Sequence, residues 1–259
     1  SAEYVNEGSD TYVGWHWKAT AGSATTNDAS STGVGTIDST YQANTTAGFS
    51  IVSYTGTGSD GTIAHGLSSA PTFILINDLD TAVNWLAYHD GNNATKGRYF
   101  TNLNTSAATF DNGASGYFQG TAPSSTLISL NNSSYNTSGN DFIAYCWHDV
   151  AGFSRFGVHE GIANANGVYV HLGFRPKLLA IKNLDTDGSW IVFDSVRHNH
   201  NIINMHLMWD TNAAEGTDDN MDFLSNGFKC RRSSTSFNSA HTFIYMAFAE
   251  MPMKYSNAF

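Results

Sequence analysis

Asp141-Phe142-Ile143-Ala144-Tyr145-Cys146-Trp147-His148 is an apolar run that returns near the end of the chain as Thr242-Phe243-Ile244-Tyr245-Met246-Ala247-Phe248-Ala249. Each reads as one buried strand, rich in aromatic residues and of strand length. The segments ahead of the two runs repeat as well. Ala47-Gly48-Phe49-Ser50 recurs as Ala151-Gly152-Phe153-Ser154 at an offset of 104. Pro71, Ile76, Leu79-Asp80-Thr81 and Trp85 recur as Pro176, Ile181, Leu184-Asp185-Thr186 and Trp190 at 105, and Phe142 recurs as Phe243 at 101. Loop insertions between fixed strands produce this small drift, so the spacing predicts a tandem duplication.

The closing strand has a third counterpart in Thr11-Tyr12-Val13-Gly14-Trp15-His16-Trp17-Lys18, preceded by the turn-like Asn6-Glu7-Gly8-Ser9-Asp10. Residues 1–18 therefore read as the last strand of a preceding domain, and the absence of an initiator Met reads as the loss of an upstream part. Residues 19–46, poor in large apolar side chains, read as an extended linker. Residues 47–150 form the first unit and residues 151–259 the second. Val150 leads into Ala151 with no spacer, which predicts that the units abut stiffly.

Inside the units, Phe49-Ser50-Ile51-Val52-Ser53-Tyr54 alternates with period two, and Thr72-Phe73-Ile74-Leu75-Ile76 is a continuous apolar run. The first suits a half-buried strand and the second a core strand. Asn77-Asp78-Leu79-Asp80-Thr81 and Asn183-Leu184-Asp185-Thr186-Asp187-Gly188 supply turn chemistry before the strands that begin at Trp85 and Trp190. Helical spacing occurs only weakly, over residues 201–209. The expected fold is all-β: two tandem antiparallel β-sandwich units of jelly-roll-like form.

Composition narrows the function. Of 259 residues, 41% are hydrophobic and only 13% charged, so the surface is polar through Ser, Thr, Asn and Gly, as in β-rich secreted, adhesive or viral proteins. Twelve Lys and Arg against 22 Asp and Glu leave a formal charge of -10, which argues against nucleic acid as a partner. No run is long enough to span a membrane. Cys146 and Cys230 have no metal-like or redox-like spacing; a disulfide stays open, and a buried free thiol is the preferred reading of Cys146.

Asp185 and Asp187, with Gly188 behind them, have the look of a calcium loop, so calcium is the one cofactor the pattern admits. The first unit has Asp80-Thr81-Ala82-Val83 there, and a plain turn is the preferred reading. Asp218-Asp219-Asn220 with Asp222 reads as a solvated loop. His198-Asn199-His200 would put two imidazoles on one strand face but lacks a third ligand. No Ser/His/Asp or Cys/His set and no selected carboxylate pair appears, so the chain reads as no enzyme. Aromatic side chains remain as contacts for a sugar or protein surface. Trp209 and Tyr99 have no repeat counterpart and are the foremost candidates, while Trp85 and Trp190 sit at equivalent positions and read first as packing residues. Asn-x-Ser/Thr triplets begin at Asn44, Asn93, Asn104, Asn132 and Asn136, and a chain of this composition produces them freely.

The blocks Thr46-Ala47-Gly48-Phe49-Ser50-Ile51-Val52-Ser53-Tyr54-Thr55-Gly56, His65-Gly66-Leu67 with Pro71, and Asp141-Phe142-Ile143-Ala144-Tyr145-Cys146-Trp147 resemble a family of domains of unknown function common in marine bacteriophage. The resemblance spans residues 47–258, and Tyr12-Val13-Gly14-Trp15-His16-Trp17-Lys18-Ala19 looks like the end of a laminin-G or concanavalin-like, lectin-like domain. It implies a virion structural protein at the virion surface, a tail fibre or other appendage, with no catalytic residues to transfer. The second unit departs from the pattern, having His171-Leu172-Gly173-Phe174-Arg175-Pro176 in place of the longer His-Gly-Leu segment. The expected role is host attachment by multivalent contact with host-surface glycan or protein. Expected partners are further copies of the chain, with a trimer fitting, and other virion proteins. A capsid decoration protein and a glycan-degrading tailspike are the alternatives.

Overall fold

A computed structural model describes residues 11–19, 22–218 and 220–250. The first half carries β1 (Thr25–Asn27), α1 (Ala29–Thr32), β2 (Ser39–Asn44), β3 (Phe49–Thr55), β4 (Gly61–Ala64), β5 (Phe73–Asp78), β6 (Leu86–His89), β7 (Tyr99–Asn102), β8 (Phe110–Asp111), β9 (Leu127–Leu130) and β10 (Asp141–Trp147). The second carries β11 (Ser154–Glu160), β12 (Tyr169–His171), β13 (Pro176–Asn183), β14 (Ile191–Asp194), β15 (Leu207–Met208), β16 (Met221–Leu224), β17 (Gly227–Cys230) and β18 (Thr242–Ala249). The molecule is all-β and its strand pairs are antiparallel, as expected.

An eight-stranded sheet runs β1-β2-β3-β10-β5-β6-β7-β8 and a five-stranded sheet runs β11-β18-β13-β14-β15. The recurring apolar runs, β10 and β18, are central in their sheets, which is why both of their faces are apolar. Ile74, Ile76, Ala144 and Cys146 face a first core closed by the β4–β9 pair. Leu179, Ile181, Phe243 and Tyr245 face a second core closed by β12-β17-β16. The opposite faces of the two large sheets pack on each other: Phe49, Phe73, Leu75 and Trp147 meet Phe156, Ala180, Ile244 and Phe248 in a third, central core.

Matched geometry recurs in the two halves. The Tyr54 ring stacks on Phe142 at 5.1 Å and 13°, and its hydroxyl donates to the Tyr135 carbonyl. The His159 ring stacks on Phe243 at 5.1 Å and 13°, and its Nε2 lies 2.8 Å from the Phe237 carbonyl. Asp78 Oδ1 accepts from the amides of Asp80 and Thr81, as Asn183 Oδ1 accepts from those of Asp185 and Thr186.

Residues 19–46, read from sequence as a linker, carry β1, α1 and β2. The last of these pairs along β3 from Ser39 opposite Tyr54 to Asn44 opposite Phe49. The helix has Asp28 as N-cap, accepting from the Ser31 amide, and Gly33 at φ 69° closing it in the left-handed region. Thr11 to Lys18, read as a closing strand, has no strand in the structure; Trp15 and Trp17 instead pack into the central core. The turn expected at Asn6-Glu7-Gly8-Ser9-Asp10 and the end of the second unit beyond residue 250 lie outside the described residues. Residues 201–209 form no helix: Ile203 bridges Met221 and His206 bridges Gly216, ahead of β15. Cys146 and Cys230 are free and buried in different cores, where burial pushes each thiol up to about 12.

Candidate functional site

All six tryptophans of the chain converge on the central core. Trp190 is wholly buried there, its indole N–H donating to the Asn102 carbonyl at 3.0 Å. Trp209 follows β15, packs on Trp190 at 6.1 Å between ring centroids, and meets Trp15 edge-on at 6.2 Å. Trp17 meets Trp147 and Phe248 edge-on. Trp85 lies at the margin, stacked on Tyr145. Three of the four aromatic candidates are thus brought together, but in packing contacts. Tyr99 is not in the cluster: it sits half-buried on β7 opposite Asp111, with the Arg98 guanidinium 5.7 Å from its ring centroid.

At the edge of this core a cleft of 310 Å³ remains between the sheets, walled by Trp15, Trp17, Trp147, Trp209, Leu103 and Met246. The indole N–H groups of Trp15 and Trp147 are buried and have no hydrogen-bond partner among the described residues.

A second depression, of 570 Å³, lies around the end of β7 and is lined by Asn84, Asn102, Asn104, Tyr117, Ser134 and Tyr135 among others, with no charged residue. Along the strand, Leu103 points to the tryptophan cleft while Asn102 and Asn104 line this groove. Asn104 is fixed by accepting from the Trp85 amide and donating to Asn84 Oδ1, and the Tyr135 hydroxyl donates to the Asn84 carbonyl. The Tyr117 ring stands edge-on to Tyr135 at 4.8 Å. The Asn102 amide and the Tyr117 and Ser134 hydroxyls hydrogen-bond to no described residue, so they are free to meet a ligand. Of these residues only Asn104 stood out in the sequence, as the start of an Asn-x-Ser/Thr triplet and not as a groove residue; the alternation of Asn102, Leu103 and Asn104 at a strand end was the one further signal.

Asp185 and Asp187 do not converge. Asp185 Oδ2 accepts from the Thr242 amide at 2.7 Å, and Asp187 Oδ1 accepts from the Ala108 amide at 3.1 Å. The turn they occupy grips the first half: the Gly188 amide donates to the Ser106 carbonyl and the Thr109 amide to the Leu184 carbonyl. Lys182, fully buried, donates to the carbonyls of Ser106 and Gly188, and burial lowers its ammonium to about 8. His198, half-buried, and the exposed His200 place their Nε2 atoms 3.3 Å apart. Among the described residues no group of three His, Cys, Asp or Glu could hold a metal ion. Asp218 and Asp222 pair with Arg232 and Arg231, and Asp219 lies outside the described residues.

Fold and grooves together define an all-β domain with two uncharged surface sites, one rich in amides and the other in aromatic rings. Residues 1–252 match a protein family described as a domain of unknown function (DUF7483), and the chain belongs to that family. No curated protein and no solved structure matches the chain.

Proposed function

We propose that this chain is a non-catalytic host-attachment module of a bacteriophage surface appendage, such as a tail fibre, and that it holds a neutral host-surface glycan in the Asn/Tyr groove. The groove is the observation that carries the reading. Sugars present hydroxyls to planar amides and C–H faces to aromatic rings, and this depression offers both with no charge. The phage origin rests on the resemblance of the sequence blocks to phage domains. The matched stacking and turn geometry of the two halves supports a duplicated unit, and the face-to-face packing would make it a stiff platform. Assembly as a trimer would multiply weak contacts. Capsid decoration is the second reading, favoured by the gathering of all six tryptophans into the molecule's own core.

Binding to an array of bacterial surface polysaccharides tests the groove. Asn102→Ala and Tyr117→Phe each remove a free ligand-facing group, the second while keeping the ring packed on Tyr135, and should weaken binding roughly tenfold without altering the thermal transition. Unchanged binding in both variants, or release of reducing sugar ends during incubation, would overturn the reading.

A further inference from the structure

The two halves turn matched faces to each other but bury them unequally. In the second half Phe156, Ile244, Met246, Trp190 and Leu184 are all buried in the central core. Strand register puts Ile51, Ile143 and Tyr145 of the first half at the places of Phe156, Ile244 and Met246. Backbone bonding does the same for Trp85 and Leu79. Their amides donate to Asn104 Oδ1 and to the Asp141 carbonyl, as those of Trp190 and Leu184 donate to Asp210 Oδ1 and to the Thr242 carbonyl. Yet Ile51, Ile143, Tyr145 and Trp85 are only half-buried, and Leu79 is 59% exposed against 4% for Leu184.

A loop of the first half accounts for part of this difference. Residues 105–109 grip the turn of the second half: the Thr109 amide donates to the Leu184 carbonyl, the Gly188 amide to the Ser106 carbonyl and the Ala108 amide to Asp187 Oδ1. This loop follows Asn104 and reads Thr105-Ser106-Ala107-Ala108-Thr109. At the matching place, after Asp210, the second half carries Thr211-Asn212-Ala213-Ala214-Glu215. Thr105, Ala108 and Thr109 are half-buried, whereas residues 211–215 are exposed throughout. Glu215, in the place of Thr109, brings its ion-pair partner Arg197 with it.

A symmetric contact between the halves would seat the loop at 211–215 on the turn that begins at Leu79. Both are exposed instead, so the contact joins unlike surfaces: a loop from one half and a face from the other. Such a heterologous contact leaves one loop and one face unused, and repeating it between molecules builds a ring or a filament. We propose that the loop 211–215 of one copy of the chain docks on the face of a second copy that carries Ile143, Trp85 and Leu79, repeating between molecules the contact that joins the halves. This rests on the reading of the halves as a duplicated unit, and not on the glycan groove.

Sedimentation velocity of the whole chain over a concentration series tests it, and the mass should rise above that of the monomer. Leu79→Lys spoils the face and keeps the loop, while Ala214→Arg spoils the loop and keeps the face. Both positions are exposed, so the thermal transition should stay unchanged. Each variant alone should sediment as a monomer where the wild type assembles. An equimolar mixture of the two should form a dimer and nothing larger, because only one intact contact is available to it. A wild type that is monomeric throughout, full assembly by either variant, or a mixture that stays monomeric would each overturn the proposal. A monomeric wild type whose polysaccharide binding is still weakened by Asn102→Ala would overturn this contact while leaving the attachment reading intact.

Discussion

Asn136 is buried, and its side chain does the work of a missing turn of backbone. Its Oδ1 accepts from the Thr57 amide at 2.9 Å, and its Nδ2 donates to the carbonyls of Ser59 and Asn131 at 2.7 and 3.0 Å. Asn238 does the same in the second half for the Ile162 amide and the carbonyls of Asn164 and Arg232. Asn136→Ala would remove three hydrogen bonds from a buried side chain to part-buried backbone groups, and at about 1 kcal/mol for each bond the loss should be about 3 kcal/mol. Chemical denaturation of Asn136→Ala and Asn238→Ala, each against the wild type, measures it. Asn102→Ala should leave the same transition in place, because the Asn102 amide holds nothing together. The triplet beginning at Asn136 is thus explained by structure: its amide nitrogen is committed to two carbonyls. In sequence it was one of five similar triplets, since the partners of an asparagine that braces loops lie far along the chain.

The same contrast between local pattern and distant partner decides which elements were legible. β10 and β18 declare themselves because a strand central in its sheet is apolar on both faces. β2 did not, because its Ser-Thr-Tyr-Gln-Ala-Asn sequence lies next to the edge of a sheet and is held mainly through backbone pairing with β3. Trp15 and Trp17 alternate as on a strand, yet the core that receives them is assembled from both halves, which local spacing could not show. The edge itself differs between the sheets. β3 is covered by β2, whereas β11 is the free edge of the five-stranded sheet. There the Phe156 amide donates to Asp149 Oδ1 at 2.9 Å, and strand alternation turns the N–H and C=O of Val158 to the same open side. A carboxylate at a strand edge obstructs the approach of another strand. Asp149→Ala should therefore increase concentration-dependent self-association, read by light scattering after size-exclusion chromatography. Adding Val158→Lys should reverse it, and a monodisperse Asp149→Ala protein would show that the edge is protected in another way.

At the scale of the molecule, three imidazoles set the response to acid. His65, His89 and His159 are buried, and burial lowers each to about 4 from an ordinary 6.5. At His65 and His89 the Nδ1 already accepts, from the amides of Leu67 and Gly91, so a proton there would face a donor. His89 also ties the two sheets, its Nε2 lying 3.2 Å from the Tyr245 carbonyl across the central core. Below pH 6.5 the unfolded chain takes up protons that the folded chain refuses until about pH 4. Stability therefore falls as pH drops through this window, by up to about 1.4 kcal/mol per pH unit for each histidine. Three such groups make the limiting slope about 4 kcal/mol per pH unit. The first half supplies the control, because Tyr54 fills with a phenol the place that His159 fills with an imidazole, stacked at the same distance and donating to the equivalent carbonyl. His159→Tyr should keep the packing and remove one titrating group, reducing the slope of unfolding free energy between pH 6 and pH 4.5 by about a third. Tyr54→His should steepen it by a similar amount. Denaturant titrations across that pH range decide the matter: a slope unchanged in both variants would mean that other groups govern acid unfolding, and would remove the buried imidazoles from its explanation.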